Sequence, residues 1–157
     1  MKKWIPIALS VFIAFVFVQS LPFKFGHSLE TQHIFVTLAN WSGLTWFGAY
    51  GGYMIGTAEL LTAILLFTPI RPLAALGALG IMSGAIFFHL FTPLGIVMPH
   101  FDASTGLQIG NDGGVLFIMA CVTWACAVTL VLMDLRSSDS LLKRIAGFNG
   151  SKLDVIR

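Results

Sequence analysis

Residues 46–67 read WFGAYGGYMIGTAELLTAILLF, a run whose one charged side chain is Glu59. About 20 such residues wound as an α-helix cross the roughly 30 Å of hydrocarbon in a bilayer. A carboxylate near the middle of such a span costs several kcal/mol unless it is protonated, paired or hydrated. Glycines 48, 52 and 56 recur every four residues, a small-residue ladder that lets a second helix approach closely. Glu59 follows Gly56 by three residues and Gly52 by seven, so it continues that face and points into a helix bundle rather than at lipid. One reading makes Glu59 a proton-linked, ligand-binding or metal-adjacent acid. The other makes it a neutral structural acid, hydrogen-bonded to Tyr53, Ser83 or a backbone carbonyl.

Three further runs of this kind flank it. Residues 4–21 follow a basic start at Lys2 and Lys3. The run is longer than a signal-peptide core, and Gln19-Ser20-Leu21-Pro22 is a poor cleavage site, so a retained helix is expected. Thr68-Pro69-Ile70-Arg71-Pro72 ends the 46–67 span, because prolines do not continue a helix. A third span covers 73–91 and stops before Thr92-Pro93. A fourth covers 114–133 and opens after Asn111-Asp112-Gly113, with Asp112 placed as its N-cap. The expected fold is all-α: an integral membrane four-helix bundle over residues 1–133, with a cytoplasmic amphipathic tail over 134–157.

Composition agrees with this. Of 157 residues, 57% are hydrophobic and 10% charged, against about 25% charged in soluble domains. A soluble fold of this length has too little interior to hide so much apolar surface. The net charge of +2 is not gathered on one polar face, which excludes nucleic-acid binding. Cys121 and Cys126 are five residues apart, about 140° around a helix, so they neither pair nor form a two-thiol site and read as small buried hydrophobes.

Lys2, Lys3, Arg71, Arg136, Lys143, Arg144, Lys152 and Arg157 fall on one side of a four-span chain, and Lys24 alone on the other. In a bacterial-type bilayer the positive-inside rule then puts both termini in the cytoplasm. His27, His33, His89 and His100 lie on the outer side or at its edge. Residues 28–42 read as an outer amphipathic helix capped by Ser28, with Ile34, Phe35, Leu38 and Trp41 as its stripe; it lies in the interface or folds over the bundle mouth. Residues 139–148 repeat the pattern inside, with Leu141, Leu142, Ile145 and Phe148 opposite Lys143 and Arg144.

His89 ends the third span on a face shared with Ala78, Met82 and Ala85, while Gly80 and Gly84 are expected to pack another neighbour. Since it is shallower than Glu59, a water bridge joins the two more easily than a direct pair. Lys24 either snorkels to the outer headgroups or neutralises an acidic ligand at the mouth. Tyr53, Asn111, Asp112 and His100 are secondary candidates, although Asn111 and Asp112 read better as turn and cap than as a site. Met54, Met82 and Met98 with His89 and His100 would suit copper, but methionine fills apolar cores routinely, so no metal is assigned. There is no phosphate loop, nucleophile elbow or zinc-type histidine pair.

Leu21-Pro22-Phe23-Lys24, Gly56-Thr57-Ala58-Glu59-Leu60-Leu61, Pro69-Ile70-Arg71, Ala85-Ile86-Phe87-Phe88-His89-Leu90, Thr92-Pro93-Leu94-Gly95-Ile96 and Asp112-Gly113-Gly114-Val115-Leu116-Phe117 follow one another in an order that resembles the DoxX-like family, over residues 5 to 133. The resemblance implies a four-helix inner-membrane protein with Lys24, Glu59 and His89 at the family's recurrent polar positions. Some members are similar to small subunits of thiosulfate:quinone oxidoreductases, and others accompany metal, redox-stress or assembly functions. The leading expectation is a membrane subunit that binds a quinone or similar hydrophobic ligand and draws electrons from a partner. A non-catalytic assembly protein, using the glycine ladders as its binding surface, is the alternative, and a proton or metal transporter a third. Expected partners are the lipid bilayer, a redox or membrane-protein subunit, and further copies of the chain in a homo-oligomer.

Overall fold

A computed structural model describes residues 4–147. It contains α1 (Trp4–Phe25), α2 (Leu29–Ser42), α3 (Thr45–Leu65), α4 (Arg71–Phe91), β1 (Pro99–Phe101), β2 (Gln108–Asn111), α5 (Val115–Leu135) and α6 (Leu141–Ile145). Three helices, α1, α4 and α5, are long and apolar enough to cross a membrane. Helix α3 matches them in length, but its glycines, threonines and Glu59 lower its hydropathy.

The core is built from small residues. Ala74, Ala75 and Ala78 of α4 and Ala120 and Ala127 of α5 are buried where helices meet, around Ile13, Phe17 and Leu66. Small side chains let helix backbones approach, which is how packing is gained where no water drives association. Two hydroxyls in this core, Ser10 Oγ and Thr123 Oγ1, find no hydrogen-bond partner among the described residues. An orphaned buried hydroxyl costs about 1–3 kcal/mol. Thr123→Val keeps the shape and removes the orphan, so it should raise the stability of the purified protein by about 1 kcal/mol; an unchanged or lower thermal midpoint would count against this.

Several boundaries differ from the sequence reading. Helix α1 runs through Pro22 to Phe25 rather than stopping at Leu21. The extra turn leaves Lys24 one turn beyond Ser20 on the same face. Ser28 caps α2, its hydroxyl accepting from the Thr31 N–H, and Gly43 ends it in the left-handed region at φ 75°. Helix α2 folds over the bundle: Thr31, Phe35 and Leu38 are buried, whereas Trp41 is exposed and leaves the expected stripe to meet Phe87 edge-on. The glycine ladder seats α2 and the end of α1. A Cβ at Gly48 would lie 3.2 Å from Ala39 Cβ, one at Gly52 3.2 Å from Thr31 Cγ2, and one at Gly56 3.1 Å from the Phe25 ring.

The loop between α4 and α5 is not wholly irregular, so the fold departs from all-α there. Strands β1 and β2 pair antiparallel, with Pro99 opposite Asn111, His100 opposite Gly110, and a bulge before Phe101. Leu94 and Met98 dock this hairpin on Leu38, closing this end of the bundle. At the opposite end α6 is five residues long, its Ser140 hydroxyl accepting from the Lys143 N–H. Of the expected tail stripe Leu142 is buried and Ile145 is exposed. Phe148, Lys152 and Arg157, like Lys2 and Lys3, lie outside the described residues.

Candidate functional site

A cavity of about 530 Å³ lies beneath α2, enclosed by residues of α1, α3, α4 and α5. Its walls are mostly apolar, with Val16, Ile34, Met82, Phe88 and Met119 among them. Ser20, Lys24, Glu59 and His89 all line this one space. Lys24, Glu59 and His89 come from three different helices, and only the tertiary fold brings them together.

Glu59 is 3% exposed. Lys24 Nζ lies 2.6 Å from its Oε2 and donates also to Ser20 Oγ at 2.8 Å. Ser20 Oγ stands 2.9 Å from the same carboxylate oxygen and 2.7 Å from the Phe17 carbonyl. A hydroxyl has one proton, so Ser20 donates to one of these acceptors at a time while accepting from Lys24. Both bonds to Glu59 fall on Oε2, and Oε1 receives no donor among the described residues. The carboxylate is thus held by one edge, with its other oxygen available in the cavity.

This differs from what the sequence suggested for both residues. Glu59 bonds neither Tyr53 nor Ser83: Ser83 accepts from Trp124 Nε1 at 2.9 Å, and the Tyr53 hydroxyl pairs with His27 Nε2. Lys24 neither snorkels outward nor waits for an acidic ligand, because the chain supplies its counter-charge. A carboxylate and an ammonium one helix apart satisfy each other more cheaply than either does alone in low dielectric. Ser20, the third member, was not singled out beforehand. Its spacing of four from Lys24 was the available signal.

His89 is buried, and its Nδ1 bonds the Gly95 carbonyl at 2.5 Å. A carbonyl only accepts, so Nδ1 carries the proton and Nε2 is the ring's acceptor in the neutral form. Phe117 packs edge-on against the ring at 5.7 Å. Gly80 and Gly84, expected to pack a neighbouring helix, instead line the cavity, and a Cβ at either would meet nothing within 4 Å.

The secondary candidates lie elsewhere. Tyr53 is 40% exposed on the outer rim. Asn111 closes a turn by accepting from the Gly113 N–H at 3.0 Å. Asp112 caps α5 from two residues outside the N-cap position, which Gly114 occupies. Its Oδ1 accepts from Met98 N at 2.7 Å and Gly114 N at 2.9 Å, and its Oδ2 from Leu116 N at 3.0 Å. Burial alone would raise the Asp112 carboxyl, but these three backbone donors and the nearby His89 hold it below the usual range. His100 Nδ1 lies 3.2 Å from Glu30 Oε1, which also accepts from Phe101 N. The pair ties the hairpin to α2. Burial likewise opposes ionisation of Glu30, yet its own backbone N–H, Phe101 N–H, the Ser28 hydroxyl and His100 together lower its carboxyl.

Among the described residues no three His, Cys, Asp or Glu side chains converge as a metal site. Cys121 and Cys126 are free and half-buried. Comparisons with family models, with curated proteins and with solved structures find no match to this chain.

Proposed function

We propose that this chain is a four-span inner-membrane protein of the DoxX-like kind, with cytoplasmic termini, that binds a quinone or similar small hydrophobic ligand in the cavity beneath α2. One observation carries the reading: a lysine–glutamate pair and a histidine, from three helices, meet in a single apolar cavity of about 530 Å³. Ligand sites are commonly apolar spaces of about 300–1,000 Å³ with a few placed polar groups. A quinone headgroup takes hydrogen bonds at its carbonyl oxygens and gains protons on reduction. The N–H of Lys24 not spent on Glu59 and Ser20 is a donor for such an oxygen, and Glu59 Oε1 and His89 Nε2 are acceptors for the hydroxyls of the reduced form. Reduction of the bound quinone takes two electrons, which this reading assigns to a redox partner subunit.

Helix α3 serves as the fourth span. Its 21 residues reach about 31 Å, and Gly51, Gly52, Gly56 and Glu59 are buried where α2, Phe25 and Lys24 cover them, while Thr45 and Thr57 are exposed. The alternative of an accessory protein that binds partner helices through its glycine ladders has less support on α3, where α2 and Phe25 already cover Gly48, Gly52 and Gly56.

The test is binding of a short-chain benzoquinone to delipidated protein in detergent, followed by native mass spectrometry. We expect saturable one-to-one binding that weakens about tenfold in Glu59→Gln and in His89→Ala, the loss of one charge-assisted or buried hydrogen bond each. Uptake that never saturates, or equal binding by wild type and both variants, rules the reading out.

A further inference from the structure

A second cavity, of about 490 Å³, opens at the opposite end of the bundle from the Glu59 site. It lies where the start of α1, the turn between α3 and α4, and the end of α5 come together. Two guanidinium groups line it, Arg71 and Arg136. Neither forms an ion pair among the described residues. Arg71 is oriented from behind: its Nε donates to the Leu66 carbonyl at 3.2 Å, which leaves the terminal amino groups of its fork for another acceptor.

One carboxylate, Asp134, shares the cleft, but it is engaged by α6. Its Oδ2 accepts from the Ser140 hydroxyl at 2.8 Å and from Leu142 N at 3.1 Å, and its Oδ1 from Leu141 N at 3.3 Å. The acid therefore anchors α6 rather than pairing an arginine. Lys143 and Arg144 of α6 add further positive charge at this end. Apart from Thr68 and Ser137 the rest of the wall is apolar, with Pro6, Pro69, Pro72 and Leu130.

We propose that this cleft binds the phosphate of an acidic membrane phospholipid. The cleft stands at the ends of helices long enough to cross a membrane, which is the depth of a headgroup. Two arginines match the two free oxygens of a phosphodiester, and arginine engages such oxygens in pairs. The proline and leucine wall receives the glycerol and the first methylenes of the acyl chains. A zwitterionic lipid carries the same phosphate, but its choline cation meets a net positive cleft. Basic pockets between spans on the cytoplasmic side recognise acidic headgroups by this arrangement.

The experiment uses the full chain in a detergent with an uncharged headgroup, titrated separately with phosphatidylglycerol, phosphatidylcholine and inorganic phosphate. Native mass spectrometry reads the adducts. Phosphatidylglycerol should be retained at least tenfold better than phosphatidylcholine, and inorganic phosphate alone should not be retained. The double variant R71Q/R136Q should lose at least tenfold in phosphatidylglycerol retention. Arg136→Gln alone changes an exposed side chain with no hydrogen bond among the described residues, so it keeps the fold and should still lower retention severalfold. Glu59→Gln should retain the lipid as wild type does, which separates this cleft from the quinone site. Equal retention of the two lipids, capture of inorganic phosphate without lipid preference, or wild-type retention by the folded Arg136→Gln protein overturns the proposal.

Discussion

Replacing Lys24 by methionine should destabilise the protein by about 3–5 kcal/mol, and adding Glu59→Gln to that variant should restore most of the loss. The Lys24 and Glu59 side chains are 17% and 5% exposed, so both charges are largely out of water. Removing the cation leaves a carboxylate in low dielectric with only Ser20 as donor, and that uncompensated charge dominates the cost. The reverse single change is milder, because an unpaired lysine near the outer rim can turn its ammonium toward the headgroups. The order of stability should therefore be wild type, then the double variant, then Glu59→Gln, then Lys24→Met. Denaturant titration of the four proteins in one detergent measures the coupling. If the two single losses simply add in the double variant, the ion pair does not hold the bundle together as described.

Gly84→Leu should abolish quinone binding, by a hundredfold or more, while leaving the fold at least as stable as wild type. A side chain added at this position projects into open space, with no heavy atom within 4 Å of its Cβ, and the space it enters is the cavity. Glycine inside a helix costs about 1 kcal/mol relative to ordinary residues, so the substitution also gains helix propensity. No polar group of the site is altered. A Cβ at Gly51, by contrast, would run into the Phe35 ring, and Gly51→Leu should instead displace α2 and unfold that end of the bundle. Thermal midpoints and native mass spectrometry with a short-chain benzoquinone distinguish the outcomes. A stable Gly84→Leu protein that binds the quinone with wild-type affinity would remove the cavity as the binding place.

What the chain alone determined is local. The helices that form α1, α3, α4 and α5 were legible because an apolar run of span length is ended by nearby prolines and glycines, and both signals act within a few residues. Ser28 as the cap of α2 was legible for the same reason. The burial of Glu59 followed from its place on the glycine face of one helix. Tertiary structure decided everything that depends on which face meets which. Periodicity shows that Gly52 and Gly84 each present a flat patch, but only the neighbour reveals that α2 fills the first and that the second opens on a cavity. The partner of Glu59 lies 35 residues away, in the last turn of α1 beyond the expected end of that span at Leu21, and no local rule reaches that far. A charge buried in a bundle constrains only that some counter-charge exists; the crossing of α1 over α3 chose Lys24, because packed backbones, not sequence neighbours, set the distance between the two side chains.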